Sequence, residues 1–335
     1  MHMSTLTAAL LLLTTFASQA AQSDPLPAWN NTAAKQGVLD WIANATDPAK
    51  GTFTPREKRH VVFDNDGTLW PEAPVTFQLQ FAVDEIKRLA PAHPGWKADP
   101  IVQAALNNDF QAIAKSGRRG LARLLALTHS DIDSSEFRQR VTTWLNHHRD
   151  PRYGCQYDQL GYLPMRQLLD LLRANDFQTW IVSGGGIDFM RVVSEKMYGI
   201  APQQVIGSFA INTFALNQER SEIQKGMSGA FFNDGASKPA AIHLFMGQRP
   251  VAAFGNSDGD VTMLQYTSTN PDYAPLGLLI HHTDGEREYA YDSHPPASGK
   301  LVEGLAQAKQ RGWVVVDMKN DWNRVFDPAL CPGAP

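Results

Sequence analysis

Cysteine is nearly absent from this chain of 335 residues: Cys155 and Cys331 are the only two. That excludes a disulfide-stapled scaffold and leaves at most one bridge. Such a bridge would tie the tail to the middle of the chain. A bridge and two unrelated thiols both remain open. The chain also lacks an apolar run of the ~20 residues that span a bilayer; its longest, Leu6 to Phe16, is too short. No basic stripe is present and the formal charge is −4, so neither charge nor pattern points to nucleic acid. Arg56-Glu57-Lys58-Arg59-His60 reads as a solvated approach to a strand. No internal repeat and no low-complexity segment interrupts the chain.

What is present begins with an export pattern. The apolar stretch Leu6–Phe16 is followed by the small residues Ala17-Ser18-Gln19-Ala20-Ala21, with Ser18 and Ala20 at the positions that precede cleavage. The reading is a signal peptide over residues 1–20, cut after Ala20, and a periplasmic or secreted product. One departure stands against it, since no Lys or Arg precedes the apolar run. No cysteine follows the signal, so membrane anchoring is not expected.

The most informative segment is Val61-Val62-Phe63-Asp64-Asn65-Asp66-Gly67-Thr68-Leu69-Trp70. An apolar strand delivers two aspartates two positions apart. Strand side chains alternate faces, so Asp64 and Asp66 point the same way and Asn65 the other. Gly67 lets the chain turn and brings backbone N–H groups close to whatever the carboxylates hold. Two carboxylates at the mouth of a buried strand are costly unless they share a cation or a proton. The pattern points to a metal-assisted nucleophile with an acid/base partner.

Residues 75–150 read as helices, with Phe77, Phe81, Ile86 and Leu89, and then Ile113, Leu121, Leu124 and Leu125, at helical spacing. A further helix near Ser135–His148 opens on an N-cap-like Asp133-Ser134-Ser135-Glu136. After Tyr162 helices alternate with short apolar strands, at 179–182, 205–211, 251–254, 276–280 and 312–316. Such alternation predicts an α/β fold, a Rossmann-like parallel sheet with helices on both faces. An all-helical cap of about ninety residues is inserted after the first core strand. The expected divisions are the core at 21–69 and 161–335 and the cap at 70–160.

Three strands end in polar or glycine-rich chemistry: Asp64-Asn65-Asp66, Ser183-Gly184-Gly185 and Gly255-Asn256-Ser257-Asp258-Gly259-Asp260. Lys238 precedes Pro239 at a helix start. Open α/β sheets bind ligands at the carboxyl ends of their strands. Together these residues offer a carboxylate nucleophile, a second carboxylate, a hydroxyl with nearby N–H groups, a fixed cation and oxygen ligands for a metal. Phosphoryl transfer needs that set, because its transition state is stabilised mainly by positioned charge and donors.

In this order and on these elements, the motifs resemble the haloacid dehalogenase-like hydrolase superfamily. The inserted helical block is similar to the cap of its phosphoserine-phosphatase-like members. The resemblance covers about His60 to Asp284. It implies Asp64 as nucleophile, forming an aspartyl-phosphate, and Asp66 as acid and then base. Ser183 and the N–H of Gly184 would bind phosphoryl oxygens, and Lys238 would neutralise them. Mg²⁺ would be held by the Asp64 carboxylate, the Asp66 carbonyl and the last motif. Family members usually carry aspartate where this chain has Asn256, so Asp260, or Asp258, would supply the missing carboxylate.

The implied activity is phosphoric monoester hydrolysis on a small phosphorylated metabolite. Transfer to an alcohol acceptor and a catalytically weak phospho-ligand binding protein are the rival readings. Glu72, Arg118 and Arg119 are candidates for substrate choice. Trp70, Phe77 and Phe81 read as packing, and Asn65 as a local hydrogen-bonding side chain. The pairs His147-His148 and His281-His282 diverge in direction and do not read as metal sites. The tail after Asp284 has no reading beyond packing on the core.

Overall fold

The computed structural model describes residues 24–216 and 220–335. The expected signal peptide lies outside the described residues. Among the described residues eight strands form: β1 (His60–Phe63), β2 (Gln178–Gly186), β3 (Val205–Ser208), β4 (Thr213–Leu216), β5 (Ser221–Gln224), β6 (Ala252–Gly255), β7 (Leu276–His281) and β8 (Val314–Asp317). Six of them make one sheet in the order β3-β2-β1-β6-β7-β8, and every pairing in it is parallel.

β1 reads as an unbroken apolar run because both of its faces are covered. Val61 and Phe63 belong to a core with Val38 and Ile42 of the helix Ala33–Thr46, Leu168 and Leu172 of Leu163–Ala174, and Phe189 and Val193 of Ile187–Tyr198. Val62 belongs to a second core with Ile242 of Ser237–Met246 and Leu264 of Val261–Ser268. A strand buried on both sides is the expected component of a parallel sheet sandwiched by helices. Phe63 stacks on Phe254 of β6 with ring centroids 4.2 Å apart. The chain runs from β1 outward to β2 and β3, then returns to the other side of β1 at β6. The strand order therefore reverses at β1, where open sheets leave a ligand crevice.

Between β1 and β2 lie five α-helices: Phe77–Leu89, Pro100–Leu106, Phe110–Lys115, Gly117–His129 and Ser134–His147, followed before β2 by the core helix Leu163–Ala174 already named. The first four share a small core of their own around Val83, Ile86, Ile101, Val102, Ile113 and Leu124. Phe81, Phe137 and Trp144 instead join the main core, so the helical layer is continuous with the sheet domain. Asp133 occupies the N-cap position, yet its side chain does not cap; it accepts from Gln224 and Arg220.

Gln224 belongs to an element the sequence reading missed. Strands β4 and β5 form an antiparallel hairpin after β3. The chain just beyond β5 is tied to the helical layer by main-chain bonds from Asp131 N to Lys225 O and from Lys225 N to Ile132 O. Cys155 and Cys331 are joined in a disulfide with Cα atoms 5.6 Å apart. No helix among the described residues is long and apolar enough to cross a membrane.

Candidate active site

The first loop is wound tightly around one carbonyl. Asn65 O accepts from the N–H groups of Thr68, Leu69 and Trp70, and Gly67 N donates to Trp70 O. Gly67 has φ +78°, and a Cβ there would lie 2.2 Å from Asn256 Nδ2. Only glycine fits both the left-handed turn and that approach. Asp64 and Asp66 both line a single cavity of 580 Å³, although the strand ends at Phe63 and Asp66 is placed by the loop. Asn65 points away. The local side-chain hydrogen bond expected of it does not form, and both amide atoms are buried without a partner. Its main-chain carbonyl carries the turn instead.

Lys238 reaches the site from the first turn of its helix. Its Nζ lies 2.7 Å from Asp64 Oδ1 and 2.5 Å from Asp260 Oδ1, and all three side chains are buried. Burial works against the ammonium, but the two carboxylates outweigh it and hold its pKa above the ordinary lysine value. Burial and the neighbouring Asp260 charge push Asp64 well above the usual carboxylate range, with Lys238 opposing them. Asp66 is raised to about 6, chiefly by burial. The Trp70 indole opposes that rise, donating from Nε1 to Asp66 Oδ1 at 2.8 Å. Trp70 thus packs, as expected, and also orients an acid, which its sequence context does not disclose.

Ser183 and Gly184 line the same cavity at the end of β2. Gly185 N donates to Ser183 Oγ at 3.1 Å. Asn233, which the sequence reading passed over, braces this turn by donating from Nδ2 to Ser183 O at 3.1 Å. Gln78, on the first helix of the inserted layer, accepts from Gly186 N at 2.7 Å and so joins that layer to the turn.

The last motif is arranged around Asp260. Its Oδ2 accepts from Asn256 N, Ser257 N and Ser257 Oγ, while Oδ1 takes Lys238. Asn256 Oδ1 accepts from Thr68 Oγ1 at 3.0 Å and its Nδ2 donates to Glu72 Oε1. Asp258 turns to the tail, accepting from Val302 N and Gly304 N, both at 2.9 Å. Glu72 is buried among Asn256, Tyr291 and Ser298, and burial raises it to about 7. Arg118 lines the cavity from an exposed position; Arg119 is exposed as well and does not line it.

The tail is more than packing. Pro295, Ala297, Ser298, Gly299 and Lys300 form part of the cavity wall. His282 Nε2 donates to Gly67 O at 2.8 Å, and its Nδ1 lies 3.0 Å from Glu288. An acceptor at each nitrogen favours the protonated ring; burial opposes the charge, but Glu288, Glu72 and the Gly67 carbonyl together outweigh it and raise the pKa. His281 diverges toward Asp292. His147 and His148 bond their own helix carbonyls.

Among the described residues, no three His, Cys, Asp or Glu side chains converge as a metal-ligand group. The carboxylates of Asp64 and Asp66 line the cavity, and the Asn256 amide oxygen is held by Thr68 Oγ1 of the same first loop. Hard oxygen donors of mixed charge suit Mg²⁺. Asp64, Asp260 and Glu72 are buried and Asp66 is half-buried, with Lys238 and His282 as the cations among them, so a divalent cation would offset the remaining negative charge of the ionised carboxylates.

Nothing among curated proteins matches the chain. Among solved structures, a conserved protein of unknown function from Anaerococcus prevotii DSM 20548 matches with a TM-score of 0.51 at 14% identity, covering 84% of this chain and 90% of that one. A protein of unknown function from Bordetella pertussis Tohama I matches at 0.46 and 14% identity, over 78% and 99% of the two chains. A probable phosphoserine phosphatase from Vibrio cholerae matches at 0.36 and 16% identity, over 75% and 64%. The family model described as haloacid dehalogenase-like hydrolase matches residues 61–265, which run from β1 through the last motif. A parallel sheet, a paired-aspartate loop at its switch point and this family match lead to one conclusion: the chain belongs to the haloacid dehalogenase-like hydrolase family.

Proposed function

We propose that the protein is an exported, Mg²⁺-dependent phosphomonoesterase acting on a small phosphorylated metabolite. One observation carries the reading: Asp64, Asp66, Ser183, Gly184 and Lys238 line one cavity at the switch point, with Lys238 2.7 Å from Asp64. An Asp64 carboxylate oxygen attacks phosphorus, and the bond from phosphorus to the ester oxygen breaks. Asp66, raised to about 6, gives its proton to the departing alkoxide. It then takes a proton from the water that attacks the aspartyl-phosphate, releasing inorganic phosphate and restoring Asp64. Ser183 Oγ and Gly184 N–H donate to phosphoryl oxygens, and Lys238 neutralises charge on them. Mg²⁺ would be held by the Asp64 carboxylate, the Asp66 carbonyl and Asn256, and would supply further positive charge next to the phosphoryl group. Asp260 serves here by fixing Lys238 and the loop.

The helical layer acts as the cap over residues 70–160, which excludes bulk water and selects the ester. Away from the aspartates the wall is made by Leu79, Leu121, Leu125, Phe137, Phe189 and Phe231. A chamber of this size and character favours leaving groups that carry apolar surface over small, fully charged ones. Arg118 at the rim suits a further anionic group. The disulfide supports the export reading, because such bonds persist in oxidising compartments.

The test is phosphate release from a panel of phosphomonoesters graded from phosphoserine to aryl esters, with Mg²⁺ or with chelator. Metal-dependent release that favours the apolar esters is expected. No release from any ester, with ligand binding retained, would make the protein a phospho-ligand receptor instead.

A further inference from the structure

Position 256 is where the family resemblance expects an aspartate, and this chain carries an amide. Asn256 Nδ2 donates to Glu72 Oε1, which also accepts from the Tyr291 hydroxyl at 2.9 Å. Glu72 Oε2 accepts from Ser298 Oγ at 2.7 Å. All three donors are neutral, so the carboxylate is solvated by the protein without a direct ion pair, and the charge that favours it is that of His282. Two glycines keep room for it. A Cβ on Gly67 would lie 2.4 Å from Glu72 Oε1, and one on Gly299 would lie 2.1 Å from the same atom. One glycine belongs to the first loop and the other to the tail, and both have positive φ. The pocket for the carboxylate is thus built from both ends of the chain.

An ionised carboxylate can only accept hydrogen bonds. Glu72 therefore dictates the orientation of the Asn256 amide: Nδ2 must face it, and Oδ1 is presented on the opposite side, where Thr68 donates to it. We propose that Glu72 and Asn256 are a charge-exchanged pair, in which Glu72 supplies the negative charge that the metal motif lacks at position 256 and orients the amide oxygen toward the cation. Glu72 is then a positioning residue for the cation site, not a contact for the substrate. Restoring aspartate at 256 is not a repair. It sets two carboxylates at hydrogen-bond distance in a buried site, with the one donor between them removed.

The link to Mg²⁺ rests on the function proposed above; the pairing itself does not, and the experiment separates them. Asn256→Asp, Glu72→Gln and the double variant are compared in the full chain. The first readout is the Tm of chelator-treated protein at mildly alkaline pH. The second is Mg²⁺ affinity by calorimetry.

Asn256→Asp is expected to melt well below wild type. The double variant is expected to recover most of that loss, because the amide introduced by Glu72→Gln can donate where the native carboxylate could not. Glu72→Gln alone is expected to keep the wild-type Tm closely and to weaken Mg²⁺ binding roughly tenfold or more, the usual scale for a residue that orients a ligand. The double variant should regain that affinity. If Asn256→Asp does not fold, a folded double variant supports the pairing and an unfolded one overturns it. A metal-free Asn256→Asp at or above the wild-type Tm, or strictly additive effects, also overturns it. Wild-type Mg²⁺ affinity in Glu72→Gln overturns the cation link. Failure of the wild type to bind Mg²⁺ at all contradicts the proposed function, while the metal-free Tm values still decide the pairing.

Discussion

The Trp70 indole holds the Asp66 carboxylate from within the same turn, Nε1 to Oδ1 at 2.8 Å. A donor to a carboxylate favours its ionised form, so Trp70 works against the burial that raises Asp66 to about 6. Replacing it by phenylalanine keeps most of the packing against Phe77 and Phe189 and removes the donor. The Asp66 pKa is then expected to rise by about one unit, the scale of one charge-assisted hydrogen bond. In the proposed reaction, forming the phosphoenzyme needs Asp66 protonated. The alkaline limb of the kcat/KM profile should therefore move to higher pH in Trp70→Phe, and an unmoved limb counts against the assignment.

Lys238 is the cation common to Asp64 and Asp260. Lys238→Met leaves two buried carboxylates facing each other. Breaking a buried pair from one side costs about 3–5 kcal/mol. Denaturant unfolding at neutral pH should show a loss on that scale. The loss should shrink as pH falls, because Asp64, already held above the usual carboxylate range, takes up a proton. Phosphate release is expected to fall by roughly two orders of magnitude or more.

His129 makes a separate pH prediction. Gln78 Nε2 donates toward its Nε2, and Nδ1 lies 2.6 Å from Thr128 Oγ1, so the ring sits neutral with its proton on Nδ1. Burial, with a smaller push from Lys225, lowers its pKa to about 3. The unfolded chain takes up that proton near pH 6.5, whereas the native state does so only near 3. The stabilisation is complete above the unfolded value and is lost as pH falls through the window between the two, by an amount on the order of a few kcal/mol. His129→Leu should flatten the acid side of a plot of Tm against pH. An unchanged slope would place the neutral histidine in doubt.

The disulfide joins residues 176 positions apart. In the loop-entropy account, closing a loop of that length stabilises by up to about 5 kcal/mol. The double variant Cys155→Ser/Cys331→Ser should lose stability on that scale, and reductant should lower the wild-type Tm while leaving the variant's unchanged.

Much of this architecture was legible in the sequence for identifiable reasons. The run Val61-Val62-Phe63 is buried on both faces, and Asp64 and Asp66 follow it directly into the cavity, so local pattern located them even though the strand ends at Phe63 and the loop, not strand alternation, places Asp66. Ser183 and Lys238 were found because strand ends and helix starts gather at one edge of a parallel sheet. What escaped depends on contacts between distant residues. Glu72 meets Asn256 across 184 positions and Ser298 across 226, and no spacing rule spans such distances. The hairpin β4–β5 escaped because its strands are short and exposed, with Phe214 and Leu216 facing outward, so they lack the alternation that burial imposes. The tail looked like mere packing because His282, Tyr291 and Ser298 act through side chains on a loop without motif. The disulfide could not be decided from two cysteines whose proximity only the fold creates.

The central claim is that Asp64 carries the phosphoryl group. The direct measurement is acid quenching of the enzyme with a phosphate-labelled aryl phosphomonoester in the presence of Mg²⁺, followed by mapping of the labelled peptide. The expected result is label on the peptide containing Asp64, stable in acid and released by base or hydroxylamine, and absent from Asp64→Asn. Phosphate release without any labelled protein, or label that persists in Asp64→Asn, would contradict it.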